Sequence, residues 1–524
     1  MSLLSNPHLL LEIDGYTDAA AYETKRYSMK GRQGYRSKST DTPPNALYLD
    51  RIISAGVISR SMFRDGASLV SANPQADVGA AIVELANFGD LDSVFSDPAT
   101  INFQSRPMRL LMVEPDAALS TAETVIRAVT SIVEPKTDRV VINGTDRLYE
   151  LRTPHLSATY GGTNALPAGV DGGPELTGKP IPRLWGKAFH IPAPCVNTTR
   201  GIYQVSGAAI LTVDAAYDKG APYTQGADYT SQADMETNAP SSGQYRAWPA
   251  GGMLRVGGSL PTAFTCDATA DSTANSKAGT LLKRLAMERG IDASDVSASQ
   301  VTALDTANGA VLGIWVNDLR STLDIMDAVA RTVGAAYGFD RLGVLGMKRI
   351  EEPAGDPVVV IAPWNESVLE SDPSSDEAPT TKVLIRYARY YRPLAGPEVD
   401  VTVSAADRAD LGEEWRVAED GSTPSPNPYA RTATLELDTL FAHEADAAAE
   451  AARRAALLGV PHRMHWARGV QLDDATLLDV DIGSVVELRW DRYGFSREAG
   501  TLRRVFAYTK NLAAGTADLL LWGQ

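Results

Sequence analysis

Four aspartates near the end of the chain form its densest group of residues that could do chemistry. Asp473, Asp474, Asp479 and Asp481 flank the apolar run 475–478. Carboxylates this close together can bind Ca²⁺ or act as the acid and nucleophile of a glycosidase. Because the glycine and the ligand spacing of a calcium loop are missing, we interpret the cluster as a solvated acidic loop. The alternative, a β-rich polysaccharide-degrading enzyme, predicts that Asp479→Asn and Asp481→Asn abolish activity.

Histidine and cysteine residues show no spacing typical of a metal site. The six histidines include no His-Glu-x-x-His helix, and His462 and His465 follow Pro461 without a cysteine or carboxylate at ligand spacing. The two cysteines, Cys195 and Cys266, are too few for a thiolate cage or a disulfide framework. We expect two free thiols, made in a reducing cytoplasm.

Paired glycines are the remaining pattern that could indicate a ligand. Residues 251–252 and 257–258 are both Gly-Gly and surround a short apolar strand, but neither pair has the lysine of a phosphate loop or the spacing of a dinucleotide fingerprint. We interpret them as turn glycines. A Gly-x-Ser-x-Gly elbow is also missing from the sequence. We therefore predict no catalytic, cofactor-binding or metal-binding residues, and no enzymatic activity.

The overall charge argues against a nucleic-acid or membrane-surface partner. The 524 residues carry 65 acidic and 49 basic side chains, a formal net charge of -16, which repels phosphate backbones and anionic lipid. The chain has no apolar run long enough to span a membrane and no signal peptide at its start. We expect no stable nucleic-acid binding and no membrane span.

One local exception to the acidic charge is the basic stretch 25–38, where Tyr27 and Tyr35 alternate with lysines and arginines and Tyr22 precedes it. Such a stretch could contact nucleic acid. We favour an arm that becomes ordered against a neighbouring acidic subunit. The surrounding residues 22–45 are polar and end in two prolines, so we expect an exposed basic loop.

The pattern of apolar runs predicts a multidomain fold that is mainly β with an α+β insertion. Most runs are short or alternating and are separated by turn residues, which is typical of antiparallel sheets, barrels and sandwiches. The predicted units are an N-terminal β domain (1–160), a Gly/Pro-rich linker (161–182), a second β domain (183–265), a small α+β module (276–350) and a C-terminal β domain (351–524) with a helix at 441–458.

Local signals define some elements more sharply. Residues 322–333 have an apolar helical face followed by Gly334, and residues 441–458 are rich in alanine and precede Gly459 and Pro461, so both are predicted helices with marked ends. Asn143 and Gly144 predict a tight turn between a strand at 139–142 and a returning strand at 148–151.

Three phrases in the middle of the chain resemble a known family. They are residues 173–186 (Gly-Pro-Glu-Leu-Thr-Gly-Lys-Pro-Ile-Pro-Arg-Leu-Trp-Gly), residues 215–220 (Ala-Ala-Tyr-Asp-Lys-Gly) with 226–229 (Gly-Ala-Asp-Tyr), and residues 334–343 (Gly-Ala-Ala-Tyr-Gly-Phe-Asp-Arg-Leu-Gly). This order is similar to tail-tip or baseplate hub-like structural proteins of long-tailed, siphovirus-type bacteriophages. The likeness covers residues 103–349, and more loosely the ends, where 481–488 resembles a strand entering a hub-type barrel.

The resemblance implies a hub-like subunit whose tail-tube-like β-barrel domains form a homotrimeric ring at the distal end of the tail tube, for host attachment and DNA ejection. It implies contacts with the distal tail protein, other baseplate or tail-tip proteins and the tape-measure protein. The expected location is the virion, after synthesis in the bacterial host cytoplasm. An acidic channel lining would keep DNA from sticking, and the net charge agrees with this.

Some members of this family hold an iron-sulfur cluster, which needs about four thiolates, more than this chain has. A lysozyme-like or peptidase domain is also missing. A third hypothesis is a receptor- or glycan-binding tail module, in which Trp248, Trp315 and residues 217–229 form an exposed aromatic surface. It predicts that mutating those aromatics abolishes host adsorption while particles still assemble.

Overall fold

A computed structural model describes residues 8–17, 21–29, 34–54, 57–62, 77–78, 81–365, 367–372, 379–421, 432–460, 462, 464–512 and 514–523. The fold is mainly β with a smaller helical part, as predicted. Its first elements are β1 (His8–Thr17), β2 (Tyr22–Met29), β3 (Tyr35–Arg36), β4 (Leu47–Ser54), β5 (Val57–Ser61), β6 (Asp77–Val78), β7 (Ala81–Ala86), α1 (Asp92–Phe95), β8 (Ile101–Asn102), β9 (Pro107–Val113), β10 (Glu123–Pro135) and β11 (Arg139–Thr145).

Seven of these strands close into a barrel. Hydrogen bonding runs in the order β2, β1, β9, β10, β11, β7 and β4, and the parallel pairing of β4 with β2 completes the circle. Every one of the seven strands contributes a buried side chain to one apolar cluster, for example Leu11, Tyr27, Ile52, Val83, Leu110, Ala128 and Ile142. The barrel interior is therefore a packed core and leaves no pore through a single chain.

The prediction of an exposed loop at 22–45 is wrong for its first part, because Tyr22–Met29 is a barrel strand. Tyr27 lies in the apolar core, whereas Arg26 faces the other side of the strand and pairs with Glu12. Lys25, nearer the start of the strand, pairs with Glu23. A strand can carry this polar sequence because only one of its faces meets the core. Residues 30–33 lie outside the described residues.

The predicted turn at Asn143 and Gly144 is also wrong, because both residues lie inside β11. A Cβ atom on Gly144 would lie 2.7 Å from the sulfur of Met108, so the glycine makes room for a core side chain across the barrel. The strand predicted at 148–151 is instead part of a 3₁₀ helix, Arg147–Leu151. Asp146 caps it by accepting a hydrogen bond from the backbone nitrogen of Leu148 (2.9 Å).

The second β unit contains two five-stranded sheets. Its elements are β12 (Arg183–Ile191), β13 (Cys195–Asn197), β14 (Ile202–Gln204), β15 (Thr212–Asp218), β16 (Ala221–Pro222), β17 (Thr224–Gln225), α2 (Gln232–Thr237), β18 (Gln244–Trp248), β19 (Met253–Val256) and β20 (Phe264–Thr269). The sheet β16-β15-β20-β12-β21 includes a strand of the following segment, and the other is β13-β14-β19-β18-β17. Leu176, from the predicted linker 161–182, is buried against Val196 and Ile202 of this unit. The linker therefore packs against the second β unit.

The α+β module follows, with three helices and three strands: α3 (Ala278–Glu288), α4 (Ala298–Ala307), β21 (Gly313–Val316), α5 (Thr322–Val333), β22 (Ala335–Phe339) and β23 (Leu345–Arg349). Helix α5 has the predicted ends, since Ser321 and Asp324 form a capping box and Gly334 ends it with φ of 66°.

The last part of the chain packs partly against the α+β module and partly against the barrel. Its elements are β24 (Val360–Ile361), β25 (Val368–Ser371), β26 (Thr380–Tyr387), α6 (Ala405–Gly412), β27 (Arg416–Asp420), β28 (Ala433–Asp438), α7 (Glu444–Leu458), β29 (His465–Gln471), α8 (Asp474–Asp479), β30 (Val485–Leu488), β31 (Thr501–Asn511) and β32 (Thr516–Trp522). The sheet β27-β26-β28 and helix α7 share the core of the α+β module. The sheet β24-β30-β31-β32-β29-β25 shares the barrel's core.

Helix α7 is joined to the α+β module by a buried charge cluster. Glu450 accepts hydrogen bonds from Arg349 (2.5 Å), Arg453 (2.7 Å) and Arg454 (2.6 Å). Arg454 also donates to the carbonyl of Arg331 at the end of α5 (2.5 Å). Burial raises the pKa of Glu450, but the neighbouring arginines outweigh it and lower the pKa to about 2.

We expect Glu450→Gln to destabilise the protein by about 3–5 kcal/mol, because it leaves three guanidinium groups without their shared carboxylate in a buried place. Urea unfolding followed by circular dichroism measures the change. Glu444→Gln is the matched control: Glu444 is exposed in the first turn of the same helix, and its loss should cost less than about 1 kcal/mol. Equal effects of the two substitutions would contradict this account.

The same cluster predicts a pH dependence. The folded pKa of Glu450 lies below its ordinary value of 4.5, so its stabilisation is complete above pH 4.5 and is lost as the pH falls toward 2. The stability difference between wild type and Glu450→Gln should therefore shrink across this window. Unfolding curves of both proteins at about pH 2.5 to 7, a range that spans the titration of Glu450, measure this difference. A difference that stays constant would show that Glu450 is not the titrating group.

Candidate functional site

The four aspartates that could do chemistry do not share one site. Asp473 caps α8 by accepting hydrogen bonds from the backbone nitrogen (2.9 Å) and hydroxyl (3.0 Å) of Thr476. The side chain of Asp479 is 70% exposed and lies 3.7 Å from Arg341. Asp481 is paired with Arg60, and the side chain of Asp474 lies outside what the structure describes. The prediction of a solvated loop is wrong for Asp481, because its partner lies in the interior.

Arg60 and Asp481 form a junction between three distant parts of the chain. Arg60 lies on β5, which leaves the barrel and pairs with β31. Its Nη1 donates to both carboxylate oxygens of Asp481, at 2.5 and 2.7 Å, and its Nη2 donates to the carbonyl of Phe339 on β22. Burial raises the pKa of Asp481, but Arg60 and Lys510 outweigh it, so the net shift is downward and the carboxylate stays ionised.

Beside this junction lies a small cavity of about 50 Å³, lined in part by Arg60, Asp340, Lys348 and Asp481. A volume of this size holds a few water molecules and is far below the roughly 300 Å³ that a small-molecule substrate needs. The geometry therefore suits a structural ion pair better than the carboxylate pair of a hydrolase.

A wider cleft of about 520 Å³ lies between the barrel and the α+β module. On its barrel side, Glu12 is held between Arg26 and Arg109 and accepts a hydrogen bond from Tyr48 (2.5 Å). Burial raises the pKa of Glu12, but Tyr48 and the arginines outweigh it and lower the pKa overall. On the module side, Arg147 pairs with Asp295 at 2.6 Å. Most of the charged side chains that line this cleft are therefore paired with one another.

The structure gives the surroundings of the histidines, glycines and cysteines considered in the sequence analysis. The Nε2 of His462 donates to the carboxylate of Glu352 (2.6 Å) and its ring stacks on Trp522, whereas His465 contacts Phe495. Within the described residues, no group of three or more His, Cys, Asp or Glu side chains is placed to hold a metal ion. Gly252 and Gly258 have positive φ, as expected of turn glycines. Both cysteines are free thiols, as predicted.

The prediction of an exposed aromatic surface, made by the receptor- or glycan-binding hypothesis, is wrong at its main positions. Trp315 is buried and its indole nitrogen donates to the carbonyl of Val205 (2.9 Å). Tyr229 is also buried, and Trp248 packs against the same small core. These rings stabilise the second β unit and are poorly placed to contact a receptor.

The functionally suggestive feature that the sequence analysis missed is an apolar row on the outside of the barrel. Ile132 on β10 and Ile82 on β7 lie on either side of Asn143 of β11 in the sheet register, and they are 56% and 38% exposed. Ile53, at the neighbouring bulge between β4 and β7, is exposed too. Exposed apolar side chains in one row are typical of a contact with another subunit. In the sequence, the signal is an isoleucine directly before the buried Val83 and another directly before the half-buried Val133.

No helix among the described residues is both long and apolar enough to cross a membrane.

Comparison with known proteins gives loose structural likenesses. No family model and no curated protein matches the chain. A solved tail protein from Neisseria meningitidis is similar over 98% of this chain and 97% of its own, with 9% identity and a TM-score of 0.39. The 43 kDa tail protein of a Shewanella oneidensis prophage covers 99% and 97%, with the same identity and TM-score. A chain of a gene transfer agent virion covers 66% and 85%, at 13% identity and a TM-score of 0.43.

The Arg60 junction makes a testable prediction. Asp481→Ala leaves Arg60 and Lys510 without their carboxylate, so we expect a loss of about 3–5 kcal/mol in unfolding free energy. Asp479→Ala, a matched change two residues away on an exposed side chain, should cost less than about 0.5 kcal/mol. In a double-mutant cycle measured by urea unfolding, Arg60→Met and Asp481→Ala should be strongly non-additive. Additive effects would show that the two side chains do not depend on each other.

Proposed function

We propose that the chain is a non-enzymatic structural component of a bacteriophage tail, a hub-like subunit of the tail tip or baseplate that acts as part of the virion. The observation that carries the proposal is the closed barrel with a filled interior. DNA has no path through one such barrel. A channel can form only between copies, so this fold suits a ring of three subunits at the end of a tail tube, formed for host attachment and DNA ejection.

The phrases that resemble hub-like proteins have structural roles in the fold, which supports the proposal. Gly186, at the end of residues 173–186, has φ of 66°, and a Cβ atom there would collide with the carbonyl of Leu312 on the neighbouring segment. Gly220 ends the turn after β15 with positive φ, and Gly334 caps α5. Each phrase thus marks a place where the backbone needs glycine, and the resemblance concerns architecture.

The fate of the candidate carboxylates argues for assembly over catalysis. Asp481 and Glu12 are committed to buried ion pairs, and Asp473 caps a helix. A glycosidase needs two carboxylates facing a substrate cleft at a separation of about 5–10 Å, with one of them at a raised pKa. The lowered pKa of Asp481 is the opposite of what a general acid requires.

The proposed partners are two further copies of the chain, the distal tail protein, other tail-tip or baseplate proteins and the tape-measure protein. The proposed contact between copies is the row of Ile53, Ile82 and Ile132, because a closed barrel has no free strand edge through which to pair. The net charge of -16 supports passage of DNA through the ring without stable binding.

Immunogold electron microscopy of particles from the source tests the location. We expect an antibody against this chain to label only the distal end of a phage tail. A soluble antigen with no associated particle would overturn the proposal and favour the hydrolase. An assay of the purified chain on bacterial surface polysaccharide tests that alternative directly, and we expect no cleavage.

The ring contact is tested by the mass of the purified protein. By light scattering after size exclusion, we expect wild type to have three times the 56.0 kDa mass of one chain. Ile82→Asp combined with Ile132→Asp places two charges in the apolar row and should give monomers with unchanged circular dichroism. Val401→Asp is the matched control, since Val401 is 88% exposed and lies outside the barrel. Trimers that survive the double substitution would exclude this row as the contact.

A further inference from the structure

Arg503 is a buried cation at the end of the C-terminal sheet. It lies on β31 opposite Val486 of β30, and only 4% of it is exposed. Val505, two residues along the same strand and therefore on the same side, belongs to the core shared with the barrel. The guanidinium thus lies where the sheet would otherwise bury an apolar side chain.

The guanidinium of Arg503 makes no hydrogen bond and no salt bridge to any described residue, and its Nε and Nη1 are fully buried. The three other arginines with comparable burial each donate hydrogen bonds through two of their guanidinium nitrogens, although the Nε of Arg60 lacks a partner. Arg60 bonds Asp481 and Phe339, Arg255 donates to the carbonyls of Arg200 and Met235, and Arg454 bonds Glu450 and Arg331. Buried charges in proteins are normally paired, so the exception at Arg503 requires a reason.

Among the described residues, the surroundings of Arg503 supply an aromatic ring but no hydrogen-bonded anion. Its guanidinium carbon lies 4.7 Å from the centre of the Phe495 ring, and the ring of His465 meets Phe495 edge-on at 4.9 Å. Glu352 is the carboxylate whose charge acts on Arg503, yet its Oε1 is already held by His462 (2.6 Å). Burial lowers the pKa of Arg503 to about 10, and the charge of Glu352 opposes this only in part.

A thin cover separates Arg503 from solvent. Residues 489–500 connect β30 to β31, and between 491 and 499 every residue except Phe495 is exposed. The turn around Phe495 is built from Tyr493 and Gly494, both with positive φ, and from a hydrogen bond between the backbone nitrogen of Phe495 and the carbonyl of Arg492 (3.0 Å). Movement of this surface turn would take the Phe495 ring off the guanidinium.

We propose that Arg503 is the recognition group of a carboxylate-binding site, covered by Phe495 in the isolated chain, which takes an acidic side chain or terminal carboxylate of a protein partner. The planar guanidinium presents parallel donors that match the two oxygens of a carboxylate. The flat face of Phe495 can stay against the face of the guanidinium, while the N–H donors at the edge of the guanidinium turn to the ligand. The proposal concerns the isolated chain and does not depend on the function proposed above.

Acetate is the probe that tests the site. We would measure thermal unfolding of the full chain in sodium chloride and in sodium acetate at equal ionic strength. The wild-type Tm should rise in acetate by about 1–3 °C more than the Tm of Arg503→Met, because only wild type gains a bound ligand. Taking this difference removes the general effect of acetate on stability. Equal responses of the two proteins would overturn the proposal, and so would a response to phosphate but not to acetate.

The same experiment in chloride separates a binding role from a structural one. Arg503→Met should keep or raise the Tm, since it removes an unpaired buried charge and retains the apolar stem. Arg504→Met is the matched control: Arg504 donates to the carbonyls of Gly483 (3.1 Å) and Glu352 (3.4 Å), so its loss should lower the Tm. A Tm loss for Arg503→Met as large as that for Arg504→Met would show that Arg503 is structurally satisfied, against the proposal.

Phe495→Ala tests the cover. With the ring removed, Arg503 becomes accessible, so the acetate-dependent rise in Tm should be larger than in wild type and should again disappear when Arg503→Met is added. An unchanged acetate response in Phe495→Ala would contradict the role of Phe495 as the cover of the site.

Discussion

Strand β5 follows β4 along the chain but does not continue the barrel; it pairs with β31 in the C-terminal sheet. The ion pair of Arg60 with Asp481, whose positions are 421 residues apart, holds it there. Because Arg60 also donates to the backbone of β22, one guanidinium connects the barrel segment, the α+β module and the C-terminal sheet. The shared core of the barrel and this sheet depends on that crossing. Without it, the two β layers would have only their apolar surfaces to set their mutual position.

Carboxylates paired with arginines recur at the boundaries between units; Glu450 and Glu12 are buried, and Glu288 is partly exposed. Glu450 joins α7 to the α+β module, Glu12 lies at the barrel's cleft, and Glu288 receives Arg183 of the second β unit. Apolar packing tolerates small slides between layers, whereas a hydrogen-bonded charge has one good position. A protein built from many short strands gains defined angles between its units in this way. Rigid relative positions suit a part whose neighbours must meet it at several surfaces.

Local signals predicted the elements whose ends depend on nearby residues. Helix α5 could be predicted because its cap, its apolar face and Gly334 lie within about fourteen residues, or four helical turns, of one another. The failures share a long-range cause. Gly144 is explained by Met108 across the barrel, and Asp481 by Arg60. Arg60 carried a local hint, since it lies between Ile58 and Met62 on the same strand face, where a core residue is expected. Its partner could not be read from one sequence.

A filled barrel constrains what this chain can do alone. The interior is occupied by side chains from all seven strands, so neither a ligand nor a nucleic acid can pass through it. The large charged cleft is lined by groups that already neutralise one another, and the aromatic residues that could bind a glycan stabilise a core. Among the described residues, two candidates for contact with other molecules are the isoleucine row of the barrel and the covered cation at Arg503. A second molecule would satisfy both features. In the isolated chain the row is exposed to water, and the guanidinium has no hydrogen-bonding partner among the described residues. The proposed assembly role therefore depends on interactions that the single chain leaves unsatisfied, more than on any site that it completes.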